Sequence, residues 1–97
     1  MSHVVVATYV SKTGQAGQIS RHLKAMIGPT NAEPGCQVYR VVNSKDDPNT
    51  FVLFEVYDDE DAFQAHASSE HFEEHIRNGA WDNLESRSVV FGSELEG

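Results

Sequence analysis

A chain of 97 residues, 39% of them hydrophobic and including five Phe, three Tyr and one Trp, has material for one core, so residues 1–97 read as a single domain. Its formal net charge is −8 and its seven Lys and Arg are scattered, which argues against nucleic acid or an anionic membrane as a partner, because nothing would neutralise the phosphates. The single cysteine, Cys36, excludes an internal disulfide, and the chain shows neither a signal-like leader nor an apolar run near the ~20 residues of a membrane helix. A cytoplasmic location is expected from this combination.

Val4 to Val10 is rich in β-branched residues and continuous and predicts a strand, broken by Lys12-Thr13-Gly14. Ala16, Ile19, Leu23, Met26 and Ile27 fall at helical spacing, so the next element is a helix with one apolar stripe. Pro29 is expected to bend or interrupt it, and Glu33-Pro34-Gly35 to end it. Cys36 to Val42 and Thr50 to Tyr57 read as two strands of an antiparallel hairpin, joined by the polar segment 43–49. Asp58 or Asp59 can cap a helix over Glu60 to Ser68, whose acidic first turn complements the helix dipole. Ser68 or Ser69 can cap a further helical segment through Phe72, His75 and Ile76. Gly79 breaks that segment, Trp81 and Leu84 anchor the stretch after it, and Ser88 to Phe91 predicts a last strand.

The order β-α-β-β-α-β predicts a ferredoxin-like α+β fold, with helices on one face of an antiparallel sheet. Val52, Phe54 and Val56 are apolar on one strand parity, and Phe51, Leu53 and Tyr57 on the other. Both faces therefore need burial, while one chain has helices for one only. A homodimer packed sheet to sheet about a two-fold axis meets that need.

Two polar residues stand out against this apolar background. His66 shares a helix face with Ala62 and Phe63, which aims an imidazole into the space between helix and sheet. It is either a hydrogen-bonded core histidine or a proton acceptor of suitable pKa. Glu55, in mid-strand, is costly to bury alone; it either pairs with Arg40 on the neighbouring strand or meets His66 and fixes its tautomer. Cys36 has no neighbouring cation to activate it and reads as a structural thiol. His71-Phe-Glu-Glu-His75 has the H-x-x-E-H spacing of some zinc peptidases, but no third ligand is evident, and no metal is expected. Gly14-x-x-Gly17 lacks the flanks of a dinucleotide loop, so no nicotinamide or flavin site of that type is expected.

Pro34-Gly35-Cys36, the Asp47-Pro48 turn, Phe51-Val-Leu-Phe-Glu-Val-Tyr57, Asp59-Glu-Asp-Ala62, and His66 followed by Ser69-Glu-His-Phe72 together resemble the antibiotic biosynthesis monooxygenase domain. The resemblance runs from Val4 to about Phe91. It implies a dimeric α+β barrel that oxidises a quinol-like or polycyclic aromatic molecule with O₂ and without a bound cofactor. It further implies His66 as the proton acceptor, Glu55 and Tyr57 as orienting groups, and Phe51, Phe72, Trp81, Arg77 and Asn78 as substrate contacts. Haem-degrading relatives place an Asn on the first strand and a Trp on the second helix; Ala7 and His66 stand there, and His75 falls one residue from the haem ligand, so haem degradation is disfavoured. Two other readings stay open: an isomerase or lyase moving a proton with His66 and Glu55, and a non-catalytic barrel that binds a metabolite.

Overall fold

A computed structural model describes residues 2–97. The elements are β1 (His3–Ser11), α1 (Ala16–Asn31), β2 (Cys36–Asn43), β3 (Thr50–Tyr57), α2 (Glu60–Ala67), α3 (Glu70–Phe72, continued by a π-helical turn over Glu73–Arg77) and β4 (Leu84–Gly92). A 3₁₀ turn, Ala80–Asn83, leads into β4. The strands form one antiparallel sheet in the order β2-β3-β1-β4, the ferredoxin-like α+β arrangement.

Register assigns every strand residue to a face, because residues directly opposite in antiparallel strands share one. Val5 lies between Glu55 and Phe91, Ala7 between Leu53 and Val89, and Tyr9 between Phe51 and Arg87; Tyr39 opposes Glu55. These residues face the helices. Ile19, Leu23 and Met26 of α1 close over Phe51, Leu53, Tyr9 and Tyr39 to make the core, joined by Phe72, Ile76 and Ala80. The opposite face carries Val6, Val42, Phe54 and Val90, and no helix covers it.

Local chemistry sets the ends. Gly14 takes φ of +81° in the turn after β1, a conformation that costs little only without a Cβ. Asp59, rather than Asp58, caps α2 by accepting from the Ala62 N–H at 2.8 Å, and Ser69, rather than Ser68, caps α3 by accepting from Phe72 N–H at 3.2 Å.

Two expectations are corrected and a third is refined. Pro29 does not interrupt α1, which continues to Asn31. The residue before it is Gly28, so the Cβ clash that normally disfavours a helical conformation ahead of proline is absent. The segment after Ser69 is not one regular helix: Asn78 N–H bonds Glu73 C=O at 3.0 Å, an i→i+5 spacing that widens the turn. β4 begins at Leu84 instead of Ser88, because main-chain pairing with β1 extends through Ser86 and, past a bulge, to Leu84. No helix among the described residues is long and apolar enough to cross a membrane.

Candidate functional site

Strand parity brings Glu55 onto the helix-covered face, where it is 4% exposed. Arg40 opposes Phe54 and so points to the other face, which removes the Glu55–Arg40 ion pair expected from the sequence as one alternative. Glu55 instead belongs to a line of polar groups threaded through the core. The Tyr57 hydroxyl donates to Glu55 Oε1 at 2.6 Å, and His66 Nε2 lies 3.7 Å from the same oxygen. On its other side His66 Nδ1 is 2.9 Å from Glu33 Oε2, and His71 Nε2 reaches that oxygen at 2.6 Å. The order is Tyr57, Glu55, His66, Glu33, His71.

Each member is held by its own element. α2 presents His66 toward the sheet, with its ring against Tyr57, Phe63 and Phe72. Ser69 ties the end of α2 to the start of α3, its hydroxyl donating to His66 C=O at 2.7 Å. Glu33 sits in the α1–β2 turn, where its N–H bonds Thr30 C=O and its own C=O accepts from Cys36 N–H. Tyr39, opposite Glu55 and with its ring 5.8 Å from that of His66, has a buried hydroxyl without a hydrogen-bond partner among the described residues.

Burial dominates the electrostatics. It pushes the Glu55 carboxyl up to about 7, against the stabilising Tyr57 hydrogen bond and with help from the charge of Glu33. Burial lowers the His66 pKa, opposed by the hydrogen bond and the charge of Glu33. Burial and then the neighbouring Glu55 raise Tyr57, so its phenol stays protonated as a donor. The Cys36 thiol is pushed up to about 11, first by burial and then by Glu33 and Glu55, which fits a structural thiol.

A cavity of about 390 Å³ opens beside this line. Glu55 contributes the carboxylate on its wall; Phe63, Phe72 and Trp81 supply aromatic surface, and Arg77 and Arg87 the positive charge. The Arg87 guanidinium lies 3.5 Å from the centre of the Trp81 ring, and that of Arg77 lies 5.3 Å from Phe72 and 5.4 Å from Trp81. Trp81 is fixed by donating its indole N–H to the Tyr9 hydroxyl at 3.1 Å. A larger cleft of about 490 Å³ runs along β2 between Asn31 and Arg40. It lacks a carboxylate and aromatic walls beyond Tyr39, so the aromatic cavity is the better site for an organic ligand.

The structure thus places Glu55, Phe72, Trp81 and Arg77 around the cavity, with Tyr57 and His66 behind Glu55. Phe51 lies in the core and does not line the cavity. Asn78 is exposed and bonds Glu73 at 3.4 Å. Glu33, Tyr9 and Arg87 do not stand out in the sequence. The Tyr9–Arg87 pairing follows from register, whereas nothing in a Glu before Pro-Gly signals two imidazole partners. His71 and His75 do not converge: His71 meets Glu33, while His75 Nδ1 sits 3.2 Å from His22 Nδ1.

Solved structures share this architecture. PA3566 from Pseudomonas aeruginosa is 26% identical with a TM-score of 0.92, the match covering 98% of this chain and 95% of that one. Rv0793 from Mycobacterium tuberculosis superposes with a TM-score of 0.91 at 28% identity, covering 100% of this chain and 98% of that one. In sequence, Rv0793, which carries a monooxygenase name, is 35% identical over 68 residues, 70% of this chain and 66% of that protein's own length. The family model for antibiotic biosynthesis monooxygenase matches residues 2–78, and the chain belongs to that family.

Proposed function

We propose that the protein is a monooxygenase that oxidises an electron-rich phenolic or anthrone-like ring with O₂, without a bound cofactor. The observation that carries this reading is a buried carboxylate, Glu55, on the wall of a cavity lined mainly by aromatic and aliphatic side chains. Its pKa of about 7 lets it take a proton at cellular pH. A substrate hydroxyl or an activated methylene gives its proton to Glu55, and the resulting electron-rich anion reduces O₂ directly. For an anthrone the balance is complete: the methylene carbon loses two hydrogens and takes one oxygen atom as a ketone, and the other oxygen leaves as water. Apolar walls thin the water around the anion, and Arg77 and Arg87 offset its charge.

The division of labour differs from the one the resemblance implied. Glu55 faces the cavity, and His66 stands behind it at 3.7 Å. His66 donates from Nδ1 to Glu33, which leaves Nε2 as the acceptor that can relieve Glu55 of its proton. The working form is a homodimer built on the helix-free face of the sheet, in the cytoplasm.

Oxygen consumption with a panel of hydroquinones and anthrones tests this reading. Wild-type protein is expected to exceed the uncatalysed rate, Glu55→Gln to lose ~10²-fold or more of the enhancement, and His66→Ala a smaller part. Absence of uptake across the panel refutes the oxygenase assignment. If solvent deuterium then enters the substrate in a Glu55-dependent way, the proton-transfer isomerase takes its place.

A further inference from the structure

The line of polar groups does more than supply a base, because its outer end has the donors of a metal site. One ligand atom from each of Glu33, His66 and His71 lies within 4.8 Å of the others, and Glu33 Oε2 is 2.9 Å from His66 Nδ1 and 2.6 Å from His71 Nε2. Donors that share an ion at ~2.0–2.2 Å stand roughly 3–4 Å apart, so small rotations suffice. We propose that Glu33, His66 and His71 bind a borderline divalent cation of the Zn²⁺, Co²⁺ or Fe²⁺ class, with open positions left for water. Two imidazoles and one carboxylate are the donor set those ions favour over Mg²⁺ or Ca²⁺.

Three further observations carry the assignment. First, Glu33 and Glu55 are both largely buried, and among the described residues neither has a Lys or Arg within ion-pair distance; their ion-pair partners are the imidazoles. A dication between them supplies the missing positive charge. Second, the far nitrogen of His66, Nε2, lies 3.7 Å from Glu55 Oε1, longer than a hydrogen bond but on the side of the ring that an ion on Nδ1 leaves free. A metal-bound histidine characteristically turns its other ring nitrogen to a carboxylate, which fixes the tautomer. With an ion on Nδ1, the one hydrogen of the neutral ring moves to Nε2 and points at Glu55. Third, the ligands come from backbone already held in place: the α1–β2 turn, the end of α2 and the capped start of α3, with Ser69 bridging the last two. The side chains of Glu33 and His71 keep 16% and 20% exposure, so a cation reaches them from solvent without crossing the aromatic cavity.

The site uses only His71 of the H-x-x-E-H spacing, since His75 pairs with His22 instead. It also constrains the oxidation chemistry. An ion on Nδ1 commits Nε2 as a donor, so His66 can no longer take a proton from Glu55, and occupancy should slow turnover that relies on that transfer.

The test needs no substrate. Untagged protein is stripped with a chelator, titrated with Co²⁺ and Zn²⁺, and read by visible Co²⁺ absorption and by metal retained after dialysis. The expected result is one tightly held equivalent per chain with the intense visible bands of a low-symmetry Co²⁺ site, displaced by Zn²⁺. Glu33→Gln and His71→Ala, both at partly exposed positions, should each weaken binding by more than ~100-fold while keeping the wild-type circular dichroism. His75→Ala should bind as wild type. Failure of the wild type to retain an ion overturns the proposal. So does retention that survives Glu33→Gln and His71→Ala but is lost in His75→Ala, which would place the ion at the His22–His75 pair.

Discussion

At the scale of single residues, Glu55 is the group whose surroundings most alter its chemistry. Its folded-state pKa of about 7 lies above the ordinary value of 4.5, so the folded protein holds this proton more tightly than the unfolded chain does. Glu55 therefore costs nothing below pH ~4.5, and its cost grows as pH rises to 7 and stays level above. The shift corresponds to about 3 kcal/mol at full effect. His66 acts in the opposite sense: burial lowers its pKa, so stability falls as pH drops below ~6.5. Glu55→Gln keeps an acceptor for Tyr57 but has nothing to ionise. In chelator-treated protein it should be more stable than wild type at pH 8, by up to about 3 kcal/mol, with the margin closing toward pH 5. Urea unfolding at a series of pH values measures this, and a margin independent of pH would refute it. Much of the residue-level picture was legible in one dimension: a carboxylate in an apolar strand and a histidine on an apolar helix face both require an explanation. Glu33 was not, because its partners lie 33 and 38 positions away and only the packing of three helices brings them to one oxygen.

At the scale of elements, the sequence marked where helices and strands stop more clearly than why they stop there. Pro34-Gly35 reads as a terminator, but Gly35 has a second role that only packing reveals. A Cβ at this position would come within 2.5 Å of Ala62 Cβ, so the turn before β2 lies directly under α2. Its backbone φ is not in the left-handed region, so the constraint is steric and not conformational. Gly35→Ala should push α2 away from the sheet and cost about 1–3 kcal/mol, or several degrees of melting temperature. Gly17→Ala, in α1 with nothing within 4 Å of the added methyl, should be neutral or slightly stabilising by comparison. Equal melting temperatures for the two variants would mean that the α2–turn contact is looser than described. The same distinction explains β4: the polar residues before Val89 hid the strand's early start, because an edge strand pairs through its main chain whatever its side chains are.

At the scale of the whole molecule, the decisive quantity is the 18 Å thickness of the shortest axis, enough for a sheet and one layer of helices. The helix-free face is left with an apolar strip, bordered by Arg40 beside Phe54: Val42 opposes Val52, and Val6 lies between Phe54 and Val90. Phe54 and Val90, which flank Val6, are 39% and 66% exposed, apolar surface left without cover. Alternation in the sequence already required a cover for this face, though the pairing of its members needed the register. A second copy, related by a two-fold axis, presents the same strip, and a standard stable interface takes ~800 Å² from each partner. Phe54→Asp would bring a carboxylate from each copy into that dry contact without disturbing the core, since Phe54 points away from it. Multi-angle light scattering at micromolar concentration should give twice the chain mass for wild type and the single-chain mass for the variant, with circular dichroism unchanged. A monomeric wild type would refute the dimer. A dimer that survives Phe54→Asp would move the contact to the β4 edge, where Val89 and Phe91 are also exposed.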